Sequence, residues 1–311
     1  HFIMLILLVP FINFALTILQ STTVLAQEKF SSNKSYIAAS YVKFIEGAGA
    51  RVVPLWIGRD EYLQVIKLYK NSFITRNNIG VLLLLNHGMK NLLNCFEFVY
   101  RIAKRMNNNG DYFPILGICL GFELLTYVVA ERVHHRTNCS VHHSNVTFLT
   151  SYRRSRMFSN ISDNVEDILR TKKVTSNQHQ YCVTKRGLQC AGVSNKFRIL
   201  SLNHDLDGVE FISSLEHITY PFYGLQFHPE KNLYEWIIGK KIPHGKNAIE
   251  ISQYFANFFV NEARKNHHIF QNSKEEARTL IYNYSPTYTA LGNSIFMQSY
   301  IFDSADTVMI Y

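Results

Sequence analysis

The chain opens on a long apolar run. From Phe2 to Leu19, 15 of 18 residues are apolar, interrupted only by Pro10, Asn13 and Thr17, and no aspartate, glutamate, lysine or arginine occurs before Glu28. About 20 such residues would suit a transmembrane helix. Pro10 and Asn13 break the run, however, and Val24-Leu25-Ala26 resembles the small-x-small site at which signal peptidase cuts, so the stretch predicts a cleaved leader. No second apolar run of that length follows, which excludes a multi-span membrane protein.

Beyond the leader, helical and strand periodicities alternate. Tyr36 to Gly47 has helical spacing, Arg51 to Leu55 reads as a short buried strand, Asp60 to Lys70 as a helix, and Ile79 to Leu85 as the continuous apolar run of a central parallel strand. Leu92 to Met106 is amphipathic, with basic residues near its C-terminal end, and Asn107-Asn108-Asn109-Gly110 stops it. Phe113 to Leu116 is the next strand, and a helix follows through Ala130. Glu131 to Lys196 is polar, basic and weakly periodic. Strands return at Gly208 to Ser214 and Phe222 to Phe227, and a helix from about Ala248 to Lys265 buries Phe255, Phe258 and Phe259. The rhythm predicts an α/β fold: a single domain with a mostly parallel central sheet and helices on both faces.

Composition narrows the field. With 311 residues, 47% of them hydrophobic and 18% charged, the chain is long enough for a sizeable core and too apolar for a disordered or collagen-like protein. The formal net charge of +9 favours an anionic partner without naming it. Sequons at Asn33, Asn138, Asn145, Asn160 and Asn283 accord with a secretory route, the last weakened by Pro286. Five cysteines, Cys95, Cys119, Cys139, Cys182 and Cys190, are an odd number and fit neither a dense disulfide scaffold nor a CxxC zinc pattern.

The sharpest chemical signal is Gly117-Ile118-Cys119-Leu120-Gly121, set between a strand and a helix. A nucleophile elbow has this form, because the nucleophile sits on a strained turn whose flanking glycines permit close backbone approach. A helix N-terminus also favours the thiolate. The competing reading is a buried cysteine packed between glycines. A partner for Cys119 lies 109 residues on, where His228 and Glu230 follow a strand two positions apart and would project from one side. A cysteine nucleophile needs a base, and the base needs a third group to fix its tautomer.

Gly117-Ile118-Cys119-Leu120-Gly121-Phe122-Glu123 together with Gln226-Phe227-His228-Pro229-Glu230-Lys231 resembles the class I glutamine amidotransferase-like group, with its Cys-His-Glu triad and three-layer α/β/α sandwich. Ser35–Phe44, Ala48–Pro54, Gly110–Pro114, Phe258–Lys265, Leu280–Pro286 and Tyr300–Asp303 are similar to the γ-glutamyl hydrolase family within it, so the resemblance runs from about residue 22 to 303. It implies a cysteine hydrolase cutting γ-glutamyl bonds of folylpoly-γ-glutamates through a thioester, secreted or lysosomal, homodimeric, with no cofactor or metal. Cys119 would be the nucleophile, His228 the general base and acid, and Glu230 the third member. Leu120 and Gly88 would give backbone N–H groups to the oxyanion. Glu123 and His179 would meet substrate, though Glu123 reads equally as a helix-surface carboxylate.

The resemblance also moves the expected leader. Thr22–Glu28 looks like the family's first strand, which places the leader at residues 1–21, with a cut between 15 and 26, the domain at 22–303 and a tail at 304–311. One departure stands out: the family has a Phe-Pro-Gly-Gly-like loop where this chain reads Leu83-Leu84-Leu85-Asn86-His87-Gly88. That change motivates a second reading, a catalytically impaired homologue that binds γ-glutamyl ligands or a protein. A glutaminase feeding ammonia to a synthase is disfavoured by the leader. His134, His135, Cys139, His142 and His143 match no standard zinc spacing. Arg153-Arg154-Ser155-Arg156 reads as a solvated basic patch, and no stacking or groove-reading motif accompanies it, which argues against nucleic acid.

Overall fold

The computed structural model describes residues 3–7, 14–20, 35–57, 78–84, 89–139, 145–268, 270, 272–292 and 294–302. The expected helix over Asp60 to Lys70, Asn33, His142, His143 and the loop from Leu85 through Gly88 lie outside them.

A central sheet orders the fold. Its strands are β1 (Ile3–Leu7), β2 (Phe14–Gln20), β4 (Val53–Ile57), β5 (Asn78–Leu84), β6 (Ile115–Ile118), β8 (Thr147–Phe148), β10 (Phe197–His204), β11 (Glu210–His217) and β12 (Phe222–Leu225), in the spatial order β4-β1-β2-β5-β6-β12-β11-β10-β8. The four middle strands, β2, β5, β6 and β12, run parallel. Antiparallel pairs extend both margins. Strands β6 and β12 are buried at every position, as strands covered on both faces must be.

The two faces are covered by different helices. The β12 residues alternate: Tyr223 packs edge-on against Phe258, 4.9 Å between ring centroids, whereas an added Cβ on Gly224 would strike Phe122. Phe258 belongs to α7 (Lys246–Ala263) and Phe122 to α3 (Leu120–Val129), so one helix lies on each side of the sheet. Phe255 and Phe259 of α7 are fully buried. The expected α/β sandwich is thus present, with its parallel strands confined to the centre.

Other elements carry residues to one end of that sheet. β3 (Ser35–Ala38) runs into α1 (Ala39–Glu46), and β14 (Gln298–Phe302) pairs β3 on one edge and β13 (Pro286–Tyr288) on the other. The long helix α2 (Met89–Asn108) agrees with its expected span. The weakly periodic middle folds as β7 (Arg136–Asn138), α4 (Asp163–Thr171), β9 (Tyr181–Val183) and α5 (Lys185–Cys190). A disulfide between Cys139 and Cys182 staples the β7–β9 ribbon. Short polar elements held by a cross-link and by packing leave little periodicity to read.

One strand was not expected, and one expectation needs correcting. Strand β10 carried no distinct signal in the sequence. The Arg153–Arg156 stretch is only partly a solvated patch: Arg153 is exposed and pairs with Glu166, but the Arg156 guanidinium donates to the carbonyls of His217 at 3.1 Å and Tyr220 at 3.3 Å, capping the β11–β12 turn. The apolar stretch expected as a leader supplies β1 and β2 in this structure, β2 pairing in parallel with β5.

Gly117 has no room for a side chain, because an added Cβ would sit 2.5 Å from the Gly121 carbonyl oxygen, a backbone atom that cannot swing aside. At Gly224 the obstacle is the Phe122 ring, which can move. Gly117→Ala is expected to lose about 3 kcal/mol in urea unfolding, at the upper end of overpacking penalties, and Gly224→Ala distinctly less. Equal losses would show that the β6–α3 junction is looser than described.

Candidate active site

Cys119 occupies the turn between β6 and α3. Its backbone takes φ 54° and ψ −110°, a conformation L residues rarely adopt, and its N–H donates to the Leu225 carbonyl at 2.8 Å. The strain persists because both sides of the turn are fixed: β6 by its pairing with β5 and β12, and α3 by the close approach of Gly121 to Gly117. The side chain is thereby lifted to the C-terminal end of the parallel sheet, where ligands of open α/β sheets bind.

The base arrives on the adjacent strand. In the parallel register Gly224 lies beside Gly117 and Leu225 beside Ile118, so the chain leaving β12 passes next to Cys119. His228 N–H donates to the Ser176 carbonyl at 2.8 Å, which pins that exit. The His228 Nδ1 lies 2.8 Å from Glu230 Oε1, and the Tyr41 hydroxyl of α1 lies 3.1 Å from the same nitrogen. The histidine and carboxylate meet across a turn, with Glu230 already in helical conformation ahead of α6 (Lys231–Tyr234), and not from one extended strand as the sequence suggested. With Nδ1–H turned to Glu230, the other ring nitrogen is left as the basic one.

Electrostatics correct a further expectation. Burial pushes the Cys119 thiol well above its ordinary value, and Glu123 adds to the rise, while Lys231 and the Leu120 N–H pull the other way. The helix N-terminus alone was expected to favour the thiolate; removal from water outweighs it. His228 is lowered from its ordinary 6.5, chiefly by burial and next by Lys231, against the opposing pull of Glu230. Both shifts favour the uncharged forms of the thiol and the imidazole.

The remaining expected residues divide. The Leu120 N–H donates toward the Cys119 sulfur. Gly88 lies outside the described residues. Glu123 is buried, not on the helix surface: its carboxylate pairs with Arg136 of β7 at 2.8 Å and accepts from Gln226 at 3.4 Å. His179 lies near enough to His228 for the two rings to repel when charged, and burial drives it down to about 4. Its ring nitrogens are buried with the Tyr181 backbone beside them, and the ring meets Phe211 at a steep angle, 5.3 Å between centroids.

Side chains that sequence reasoning did not single out complete the surroundings. Tyr41, Lys231, Gln178 and Arg136 all reach the site, and the first two stand inside stretches that carried the family resemblance without a role being assigned. The four described sequon asparagines, Asn138, Asn145, Asn160 and Asn283, are all exposed, and the amides of Asn145 and Asn283 donate to carbonyls, Asn145 to Arg170 and Asn283 to Ala277, Arg278 and Leu280. His135 is buried and bonded to Thr126 and to the Val133 carbonyl, and Cys139 is in the disulfide. Among the described residues no group of three or more histidines, cysteines and carboxylates is placed to hold a metal ion, and no helix is long and apolar enough to cross a membrane.

Comparison with known proteins agrees with this geometry. The model of the class-I glutamine amidotransferase family matches residues 66–236, a span that contains Cys119, His228 and Glu230. The γ-glutamyl hydrolase of Bos taurus is 39% identical over 275 residues, covering 87% of this chain and 84% of that protein. The human γ-glutamyl hydrolase is also 39% identical, over 86% of this chain and 83% of its own. γ-Glutamyl hydrolase 1 of Arabidopsis thaliana is 32% identical, over 87% and 77%. An elbow cysteine and a histidine–carboxylate pair where two neighbouring parallel strands end, in a chain this similar to those enzymes over most of its length, place it in the γ-glutamyl hydrolase family.

Proposed function

We propose that this chain is a cysteine hydrolase that cleaves γ-glutamyl amides, with poly-γ-glutamyl folates as its substrate class. The observation that carries the proposal is the 2.8 Å contact between His228 and Glu230 beside the strained Cys119 turn. Cys119 Sγ attacks the γ-carbonyl carbon while its proton passes to the free nitrogen of His228, and the oxyanion forms against the Leu120 N–H. His228 returns that proton to the departing amine as the C–N bond breaks, leaving a thioester. Water, deprotonated by His228, then attacks the same carbon, and the thiol leaves reprotonated. Glu230 and Tyr41 hold the imidazole through both halves. The positive net charge suits a substrate bearing several carboxylates.

The second reading, a binding protein without turnover, rests on the Leu83–Gly88 departure. Incubation of the purified protein with pteroyl-penta-γ-glutamate separates the two. Turnover in the wild type, reduced on the order of a millionfold or to background in Cys119→Ala, supports hydrolysis. Binding without turnover supports the alternative.

The pH profile gives an independent check. Protonating His228 removes the base, so activity rises with pH through its pKa, and because that pKa is lowered from 6.5, the acid limb of kcat/KM is expected below pH 6.5. A limb at or above that value would count against His228 as the titrating group.

For location we propose a secreted or lysosomal glycoprotein, on the apolar leader and the exposed Asn138 and Asn160. Cleavage near residue 21 removes β1 and β2, and with β1 goes the sheet pairing of β4, so the processed chain must rebuild that edge. Expression in a secreting eukaryotic host followed by N-terminal sequencing is expected to find a start between residues 16 and 27. A secreted product that retains Ile3 to Gln20 would overturn the leader.

A further inference from the structure

Arg136 reaches the site from the short strand β7 and pairs at 2.8 Å with Glu123, one helical turn beyond Cys119. The two members of the pair stand in different surroundings. Only 4% of the Glu123 side chain is exposed, and it lies close enough to Cys119 to raise the thiol, whereas 23% of the Arg136 side chain is open to solvent. The Arg136 Cζ lies 4.6 Å from the centre of the Tyr181 ring, within cation–π range, and that ring is itself exposed.

These neighbours hold the guanidinium without using all of it. A guanidinium carries five N–H groups in a rigid fork. Glu123 is its one hydrogen-bond partner among the described residues, through Nη1. The N–H groups that remain suit a second carboxylate, which a guanidinium binds in the same planar way. The support beneath is firm: Arg136 lies opposite Val183 and Asn138 opposite Tyr181, and the Cys139–Cys182 disulfide closes the ribbon. An arginine already fixed in place loses little freedom when a ligand arrives.

The chain leads from the base to this arginine. His179 is next to His228, and Tyr181 follows His179 by two residues. In the proposed reaction His228 gives its proton to the departing amine, so the leaving portion lies on the histidine side of the scissile carbon. Each glutamate in that portion carries a free carboxylate a few bonds from its nitrogen. His179, driven down to about 4 by burial, offers it no charge near neutral pH, whereas a guanidinium keeps its charge throughout.

We infer that Arg136, anchored by Glu123 and backed by Tyr181, receives a carboxylate of the leaving portion and is a specificity-determining residue for glutamate as the leaving group. This rests on the γ-glutamyl reading of the site.

The test compares pteroyl-di-γ-glutamate with the same compound carrying both carboxylates of its leaving glutamate as carboxamides. The two form one common thioester, so the leaving portion is read in kcat/KM and not in hydrolysis of that thioester. Wild-type kcat/KM is expected to favour the carboxylate form by about tenfold, the lower end for a hydrogen bond to a charged group at a site reached by solvent. Arg136→Gln should remove that preference. Because this change leaves Glu123 unpaired, the double variant Glu123→Gln/Arg136→Gln, which removes both charges, is measured beside it and should lose the preference equally. Tyr181→Leu, which keeps the ion pair and takes away the ring, should reduce the preference by a smaller factor and serves if the others do not fold. Equal rates on the two compounds in the wild type, or a preference that survives in the variants while both rates fall together, would overturn the inference, the latter leaving Arg136 as a support for Glu123 alone. Calorimetry on Cys119→Ala with the same two compounds asks the question without turnover. A preference for the carboxylate form that disappears when Arg136→Gln is added upholds the assignment even if the wild type does not hydrolyse either compound, and the lack of such a preference rejects it.

Discussion

The parallel pairing of β6 with β12 is the contact on which the site depends. It sets Gly117 beside Gly224 and Ile118 beside Leu225, so that two chain segments more than a hundred residues apart leave the sheet side by side at the same end. The Cys119 N–H completes the ladder by donating to Leu225. A slip of one residue would turn the side chains of one strand to the opposite face and part Cys119 from His228. Both glycines in this register answer to α3: Gly117 to its backbone and Gly224 to Phe122. Sheet pairing and helix packing therefore fix the same turn from two directions, which is how a non-glycine residue is kept at φ 54°.

Burial governs the chemistry of the groups that meet there. Each is taken far enough from water that desolvation is the largest influence on Cys119, Glu123, His179 and His228. It favours the uncharged forms of the thiol and the imidazole and leaves the positive end of α3 unable to impose a thiolate. Of the ionisable groups there, Glu123 is paired with Arg136 and His228 is hydrogen-bonded to Glu230, while Lys231 meets the side-chain amide oxygen of Gln178. A site of this kind stabilises charge where the reaction creates it more than in its resting state.

The β7–β9 ribbon shows how the roof of the site is held. Arg136, which steadies Glu123, lies on β7; Gln178 and His179 lead into β9; and the Cys139–Cys182 bridge joins the two strands. The backbone bond from Cys139 to Gln180 adds to the same cross-connection. Arg136, which pairs with Glu123, Gln178, which accepts from Lys231, and His179 therefore share one small, covalently closed support.

Much of this was legible along the chain because it follows from local rules. The apolar run at Ile79, the elbow at Gly117–Gly121 and the phenylalanine face of α7 are patterns of period, turn chemistry and residue size that neighbours in sequence impose on one another. The candidates Cys119, His228 and Glu230 were equally readable, since they stand in short motifs with a chemical reason for their spacing. What the sequence could not decide depends on who packs against whom. Arg156 turned out to cap a distant turn, Glu123 to be an internal ion pair, and Tyr41 and Lys231 to belong to the site, because each meets partners from other elements. The state of the thiol was hidden for the same reason: a helix N-terminus can be read from the residues beside it, but the desolvation of Cys119 and the nearness of Glu123 and Lys231 to it exist only in the folded chain.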